Sequence, residues 1–159
     1  MQSEIVEFPS VEFFKALQGL MREDSARFER LGYFDTTIGV RVLCPDAGRR
    51  EYLLTFEVFD CVDVRQAGLA RQSVDFILEA DLEVWIDMLR NIRARGAADA
   101  EHGINTMTHF GERMRSLYED PDAHDKQFRF AESIQAFFDL AAKLEVRFAG
   151  TTRPQAAPA

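Results

Sequence analysis

The chain has 159 residues, 47% hydrophobic and 29% charged, the length and balance of one globular domain able to bury a real core. A net charge of −8 argues against nucleic acid and against anionic membrane surfaces, both of which attract positive patches. No apolar run approaches the roughly 18 residues of a membrane span, and the acidic start "MQSEIVEFPS" is unlike a signal peptide, so a soluble cytoplasmic protein is expected.

Ser10 is placed to cap a first helix. Phe13, Phe14, Leu17, Leu20 and Met21 fall on one face of it. Continuing that helix would seat the Asp24 carboxylate in the middle of the apolar face, a costly burial. The pattern therefore predicts a break near Asp24 and Ser25, a short second turn carrying Phe28 and Leu31, and a stop at Gly32.

Three strand-like runs follow. In "YFDTTIGVRVLC", Phe34, Ile38, Val40, Val42 and Cys44 share one face. "PDAG", Pro45 to Gly48, has turn chemistry. In "EYLLTFEVF", Tyr52, Leu54, Phe56 and Val58 share a face, and the alternation continues weakly through Val62 and Val64, which predicts a bend or an extra short strand near Asp60. In "SVDFILEA", Val74, Phe76, Leu78 and Ala80 share a face with Asp75 and Glu79 opposite, the period of two that a half-solvated sheet needs.

At Asp81 the period changes to that of a helix, with Asp81 as its cap and Glu83 suited to its positive end. Leu82, Val84, Trp85, Ile86, Met88, Leu89 and Ile92 sweep roughly 200° of its circumference. A helix resting on one sheet face needs about half that width, so something else must cover the remainder.

"IRARGAADAEHG" reads as a loop. "INTMTHFGERMRSLYED" reads as a helix with Ile104, Met107, Gly111, Met114, Leu117 and Tyr118 on one side. "PDAHD" reads as a loop. A last helix carries Ile134, Phe137, Phe138, Ala141 and Leu144 and runs to about Arg147, while "KQFRF" before it is open to reading as a short edge strand. The small, polar, Pro-bearing residues 150–159 are expected to be a disordered tail after a single domain over residues 1–149. Segregated strands and helices predict an α+β fold, with an antiparallel or mixed sheet of four to five strands and helices packed on one face.

The sequence carries no catalytic motif. His102 and His109 lie about 10 Å apart along a helix, too far to share one ion. His109 and Glu112 are spaced to face one metal, but no second pair completes a site, and His124 reads as a turn residue. There is no nucleophile elbow and no glycine-rich phosphate loop. Cys44 and Cys61 have neither metal nor redox spacing and are expected as free thiols. No catalytic residue, no metal site and no cofactor are therefore assigned. What stands out is the 14 Phe against 3 Tyr and 1 Trp: rings without a polar handle belong in a core, or around something apolar. Met107 and Met114 fit either as core or as an adaptable apolar wall.

The stretches "ARFERLGYFDTTIGVRV", "EYLLTFEV", "VDFILEADLEVWIDMLRNI" and "SIQAFFDLAAKL" together resemble the type-2 sterol carrier protein domain, the sterol-binding lipid-transfer family. The resemblance covers residues 11–95 and 128–147. "KQFRFAESIQ" lacks the glycine the family carries before its last helix, and residues 93–125 look inserted. The resemblance implies a five-stranded sheet covered by helices over a hydrophobic tunnel that takes sterols, fatty acids or fatty acyl-CoA esters, with no catalytic residues. Phe56, Phe76, Leu78, Trp85, Leu89, Phe137 and Phe138 are the expected lining. The function expected is non-enzymatic binding or transfer of an apolar small molecule, with no nucleic-acid partner and no integral membrane association. Two alternatives belong to other classes. One is an enzyme on a small apolar substrate in a nuclear-transport-factor-2-like cone fold. The other is an interaction module forming a homodimer through its apolar helix faces.

Overall fold

The first helix starts where the sequence places its cap. A computed structural model describes residues 5–46, 48–109 and 113–149. In it the Ser10 hydroxyl accepts a 3.0 Å hydrogen bond from the Phe13 N–H and opens α1 (Val11–Glu23). A short strand, β1 (Ile5–Phe8), precedes it. Phe13, Phe14, Leu17 and Met21 of α1 are buried, and Leu20 packs partly against them. The helix breaks at Asp24 as expected, and α2 (Ser25–Leu31) buries Phe28 before ending at Gly32 with φ of 100°.

The predicted alternation builds β2 (Thr36–Cys44), β3 (Gly48–Glu57), β4 (Asp60–Gln66) and β5 (Phe76–Asp81). With β6 (Met114–Leu117) they form a five-stranded sheet in the order β4-β3-β2-β5-β6. The sheet is mixed: β5 lies parallel to β2 and the other neighbours are antiparallel. Register sets Ile38 beside Leu54 and Phe76, and Val40 beside Tyr52 and Leu78, all on the inner face. A slip of one residue would turn each of these side chains outward. Helices pack on this inner face. The broad apolar arc of α3 (Leu82–Arg95) is used up inside the molecule, burying Leu82, Trp85, Ile86, Met88, Leu89 and Ile92. That arc is therefore not a free surface for a homodimer. Asp81 stands at the cap position of α3, but its side chain makes no capping hydrogen bond.

The outer face is partly covered by the segment between β4 and β5, a 3₁₀ turn over Leu69–Arg71. Leu69, only 3% exposed, lies flat on the sheet because residue 39 is glycine. A Cβ there would sit 2.7 Å from Leu69 Cδ1 and 3.0 Å from Ile77 Cγ1. Gly39→Ala is expected to destabilise the fold by about 1–3 kcal/mol through overpacking. Leu69→Ala should remove the obstacle, so the double variant in urea unfolding should lose clearly less than the two single losses combined. Simple additivity would refute the contact.

A charge network lies beside this turn. Arg41 donates to Glu51 at 2.6 Å and to Glu79 at 3.0 Å. Arg115 also pairs with Glu79, and the Leu69 N–H donates to Glu51 at 3.1 Å. Burial pushes the Glu51 carboxyl up. The hydrogen bonds from Arg41 and Leu69, with the charges of Arg41 and Arg49, outweigh it and hold that carboxyl below the usual carboxylate range.

Beyond α3 the chain departs from expectation. Residues 104–118 are not one helix. α4 (Ile104–His109) stops, and β6 pairs antiparallel with β5, Met114 opposite Ala80 and Leu117 opposite Ile77. A strand wins here because the buried β5 backbone needs partners on its second edge. The predicted helix-face residue Gly111 lies outside the described residues. "PDAHD" is helical rather than a loop: the Asp120 carboxylate accepts from the Asp122 N–H at 3.0 Å and α5 (Pro121–Arg129) follows, with Pro in its first turn. "KQFRF" lies in α5 and the junction to α6 (Ala131–Asp139), so it is not an edge strand. The last helix ends at Asp139 instead of near Arg147. A 3₁₀ turn over Leu140–Lys143 leads into β7 (Glu145–Phe148), which pairs parallel with β1, Phe8 opposite Phe148. The predicted tail, residues 150–159, lies outside the described residues.

Polar side chains fasten residues 98–104 to α3 and α6. Asn91 and Asp99 exchange hydrogen bonds at 3.0 and 2.9 Å. His102 lies 2.6 Å from Asp99 and 3.4 Å from Asp87. The His102 hydrogen bond, with help from Asn91, holds the Asp99 carboxyl down at about 2. Asp139 accepts from the Ala98 N–H at 3.1 Å, and Gln135 accepts from the Ile104 N–H at 2.8 Å. Burial pushes the Asp139 carboxyl up against the hydrogen bonds it accepts from the Gln135 amide and the Ala98 N–H.

Candidate ligand site

The inner face of the sheet and the helices above it meet in a layer of aromatic rings. Strand alternation delivers Phe56, Phe76 and Leu78 from below. Helical spacing delivers Trp85 and Leu89 from α3, and adjacent positions deliver Phe137 and Phe138 from α6. All seven are buried, none more than 2% exposed, in one hydrophobic cluster. The folded chain thus brings together every residue expected to line a ligand site.

The contacts within the layer are those of rings on rings. Phe56 stacks on Phe34 at 4.2 Å and meets Phe137 edge-on at 5.0 Å. Phe137 is perpendicular to Phe138 at 5.7 Å, and Phe138 lies 5.8 Å from Trp85. Each such pair contributes about 0.5–1.5 kcal/mol beyond the area it buries. The layer has few polar attachments. The Trp85 indole donates at 3.4 Å to the Arg41 carbonyl. The Tyr52 hydroxyl is buried without a hydrogen-bond partner, its ring 4.9 Å from Phe14. Burial pushes the Tyr52 phenol up, while the Arg50 guanidinium beside it pulls it down. A buried hydroxyl without a partner is uncommon in folded proteins. Sequence reasoning did not single out Tyr52. Only its place on the inner face of β3 was legible.

Among the described residues, three grooves lie elsewhere. A groove of about 700 Å³ runs along the polar side of α3, between Glu83, Asp87, Arg90 and Arg113. A second of about 520 Å³ borders β6, and a third of about 320 Å³ lies on the outer sheet face beside Leu69 and Ile77. None of these is lined by any of the seven aromatic-layer residues. In the form described, the side chains of the layer fill it themselves.

The histidines do not assemble into a reaction centre. His124 stacks face to face on Tyr118 at 3.7 Å, and its Nε2 is buried without a partner. The nearest polar chain, from Ser116 to Gln127 to Thr108, is internally hydrogen-bonded. Burial pushes the Cys61 thiol up to about 12, the opposite of activation. Among the described residues no group of three or more His, Cys, Asp or Glu is arranged to hold a metal ion. Glu112, the predicted companion of His109, lies outside them. Among the same residues no helix is long and apolar enough to cross a membrane.

No family model matches this sequence, and no curated protein matches it. Solved structures match it by shape. The solution structure of a conserved hypothetical protein of Thermus thermophilus, itself considered a candidate sterol carrier protein, gives a TM-score of 0.59 at 16% identity, over 84% of this chain and 89% of that one. A crystal structure of sterol carrier protein 2 also gives 0.59, at 17% identity, over 84% of this chain and 95% of that one. The chain has the fold of the type-2 sterol carrier proteins in a divergent form, as the resemblance in its sequence implies. The cone-shaped alternative is set aside with it.

Proposed function

We propose that this protein binds one apolar molecule, a fatty acid, fatty acyl-CoA ester or sterol, and releases it chemically unchanged. The observation that carries the reading is the fold, a sterol-carrier sheet with a Phe-rich layer beneath its helices. The ligand would lie among Phe56, Phe76, Leu78, Trp85, Leu89, Phe137 and Phe138, displacing ring-on-ring contacts between α6 and the sheet. The orphaned Tyr52 hydroxyl supports the reading, because an oxygen on the ligand would give it the partner it lacks. The driving force is apolar burial: a dozen methylenes contribute about 0.8 kcal/mol each, about 10 kcal/mol in all before association and ordering costs.

Native mass spectrometry with added dodecanoic acid, dodecanoyl-CoA and cholesterol tests this. A one-to-one adduct with at least one of them is expected, and Tyr52→Phe should weaken it about fivefold to tenfold by loss of one hydrogen bond. Natively folded protein that takes up none of the three would refute the proposal.

A further inference from the structure

The turn between β3 and β4 exposes what the chain elsewhere hides. Glu57 pairs with Asp60, leaving Val58 and Phe59 as a two-residue turn. Val58 has φ of 62°, the left-handed region that β-branched residues avoid and that such turns normally fill with glycine or asparagine. Glycine would relax this turn and take away an exposed apolar side chain; valine keeps both the strain and the side chain. The Val58 carbonyl accepts a 2.7 Å hydrogen bond from the Phe34 N–H, which holds the turn against the segment leaving α2. There the Tyr33 ring lies 5.6 Å from the Phe59 ring, their planes inclined at 49°. Tyr33 is 69% exposed, Val58 50% and Leu31 36%. The result is a small exposed apolar patch in which the Tyr33 ring meets the Phe59 ring, itself partly buried against the core.

Its rim is acidic. Glu29, Asp35 and Glu57 are exposed around it. Asp60 is paired with Arg22 at 3.1 Å, which takes that cation out of play, and Arg30 is the exposed cation next to the patch. Four side chains are far too few for a protein interface of roughly 800 Å² per partner. An acidic rim also repels an anionic lipid surface. It complements a surface whose outermost charges are quaternary ammonium groups, which aromatic faces also attract. Tyr, with an apolar ring and a polar tip, suits the boundary between headgroups and acyl chains.

We infer that the Tyr33–Val58–Phe59 tip docks this protein on the headgroup layer of a phosphatidylcholine bilayer. The purpose of the docking rests on the carrier reading above, since that is where an apolar cargo would be collected or delivered. The contact itself needs no cargo.

Flotation of the full chain with phosphatidylcholine vesicles tests it directly. Wild-type protein floats with them, and replacing a third of the lipid with phosphatidylglycerol weakens the partition. Tyr33→Ser and Val58→Gly each lower the partition coefficient about tenfold, the loss expected for one buried apolar side chain. Val58→Gly at the same time raises the thermal midpoint by about 2–4 °C, because it relieves the turn. That pairing of a sturdier fold with weaker docking separates the proposal from damage to the structure. Absence of flotation, a preference for phosphatidylglycerol, or equal partition of the variants overturns it. So does concentration-dependent self-association that Tyr33→Ser abolishes, which would give the patch to a second copy of the chain. Dodecanoic acid binding by the same variants is measured separately and stays at the wild-type level, because the tip lies outside the aromatic layer. Loss of fatty-acid binding in all proteins with flotation intact would refute the carrier reading and leave the docking standing.

Discussion

Truncating Phe137 to alanine is expected to lower the unfolding free energy by about 3–5 kcal/mol and to make the protein's stability respond to a fatty acid. Phe137 is fully buried. Its ring is held edge-on between Phe56 at 5.0 Å and Phe138 at 5.7 Å. Removing it deletes both contacts and leaves a void at the junction of α6 with the sheet, where the proposed ligand would lie. Voids lined by apolar side chains stay dry and accept apolar guests. A saturating fatty acid at a hundred times its dissociation constant would return about 2.7 kcal/mol. Phe28→Ala provides the comparison. Phe28 is equally buried, but it sits on α2 and is not among the proposed lining residues. It should lose comparable stability and regain less from the same ligand. Urea titrations of both variants, with and without dodecanoic acid, decide the matter. Equal recovery in the two variants, or none in either, would count against a ligand site at α6.

The second large effect is expected on the opposite face of the sheet. Arg41→Leu should cost about 3–5 kcal/mol at neutral pH, the usual consequence of removing one member of a buried ion cluster. The Arg41 side chain is 11% exposed and lies between two carboxylates equally enclosed. The remaining cations, Arg49 beside Glu51 and Arg115 beside Glu79, are 56% and 65% exposed and compensate only in part. The loss should depend on pH with a definite sign. In the native protein the Glu51 carboxyl titrates below its unfolded value, so its contribution is full above the unfolded pKa and disappears as pH falls through the folded one. In the variant, burial acts on Glu51 without Arg41 to oppose it, and the folded pKa rises. The difference between the two proteins is therefore largest near pH 7 and shrinks as pH drops through about 4. Arg41→Lys should recover part of the loss, because an ammonium cannot fork between two carboxylates as a guanidinium does. Parallel stability curves from pH 7 to 4 would remove this account of the cluster.

The sequence made legible those parts of the molecule whose pattern is long enough to show a period. β2, β3 and β5 alternate over six residues or more. The switch at Asp81 from a period of two to one of 3.6 located the junction of β5 and α3. The breadth of the apolar arc on α3 correctly required cover on more than one side. Strands β1, β6 and β7 have four residues each, too few for alternation to stand out from chance. In residues 104–118 apolar residues also fall at helical spacing, and only the open edge of β5 selects the strand. The start of α5 could have been found: Asp120 before Pro121 is a helix opening. The bend near Asp60 is legible, but not its form, because the two residues that make the β3–β4 turn, Val58 and Phe59, are not among those that normally fill such a reversal. The Arg41 cluster arises from the register of several strands, which one-dimensional pattern does not contain. The seven residues expected to line a tunnel are legible as apolar positions on the faces of β3, β5, α3 and α6. Whether they meet one another or a guest depends on distances, and core and ligand wall use the same side chains.

The pairing of β1 with β7 also bears on how the protein is made. Phe8 is fully buried, packed on Phe13 and Trp85 and overlain by Phe148 from the far end of the described chain. A nascent polypeptide still short of Glu145 has synthesised α1 and the whole sheet, but it holds the edge of β1 unpaired and one side of Phe8 uncovered. This piece of hydrophobic surface is sealed only once β7 has left the ribosome and paired with β1, so a chain ending before Glu145 still presents Phe8 to chaperones.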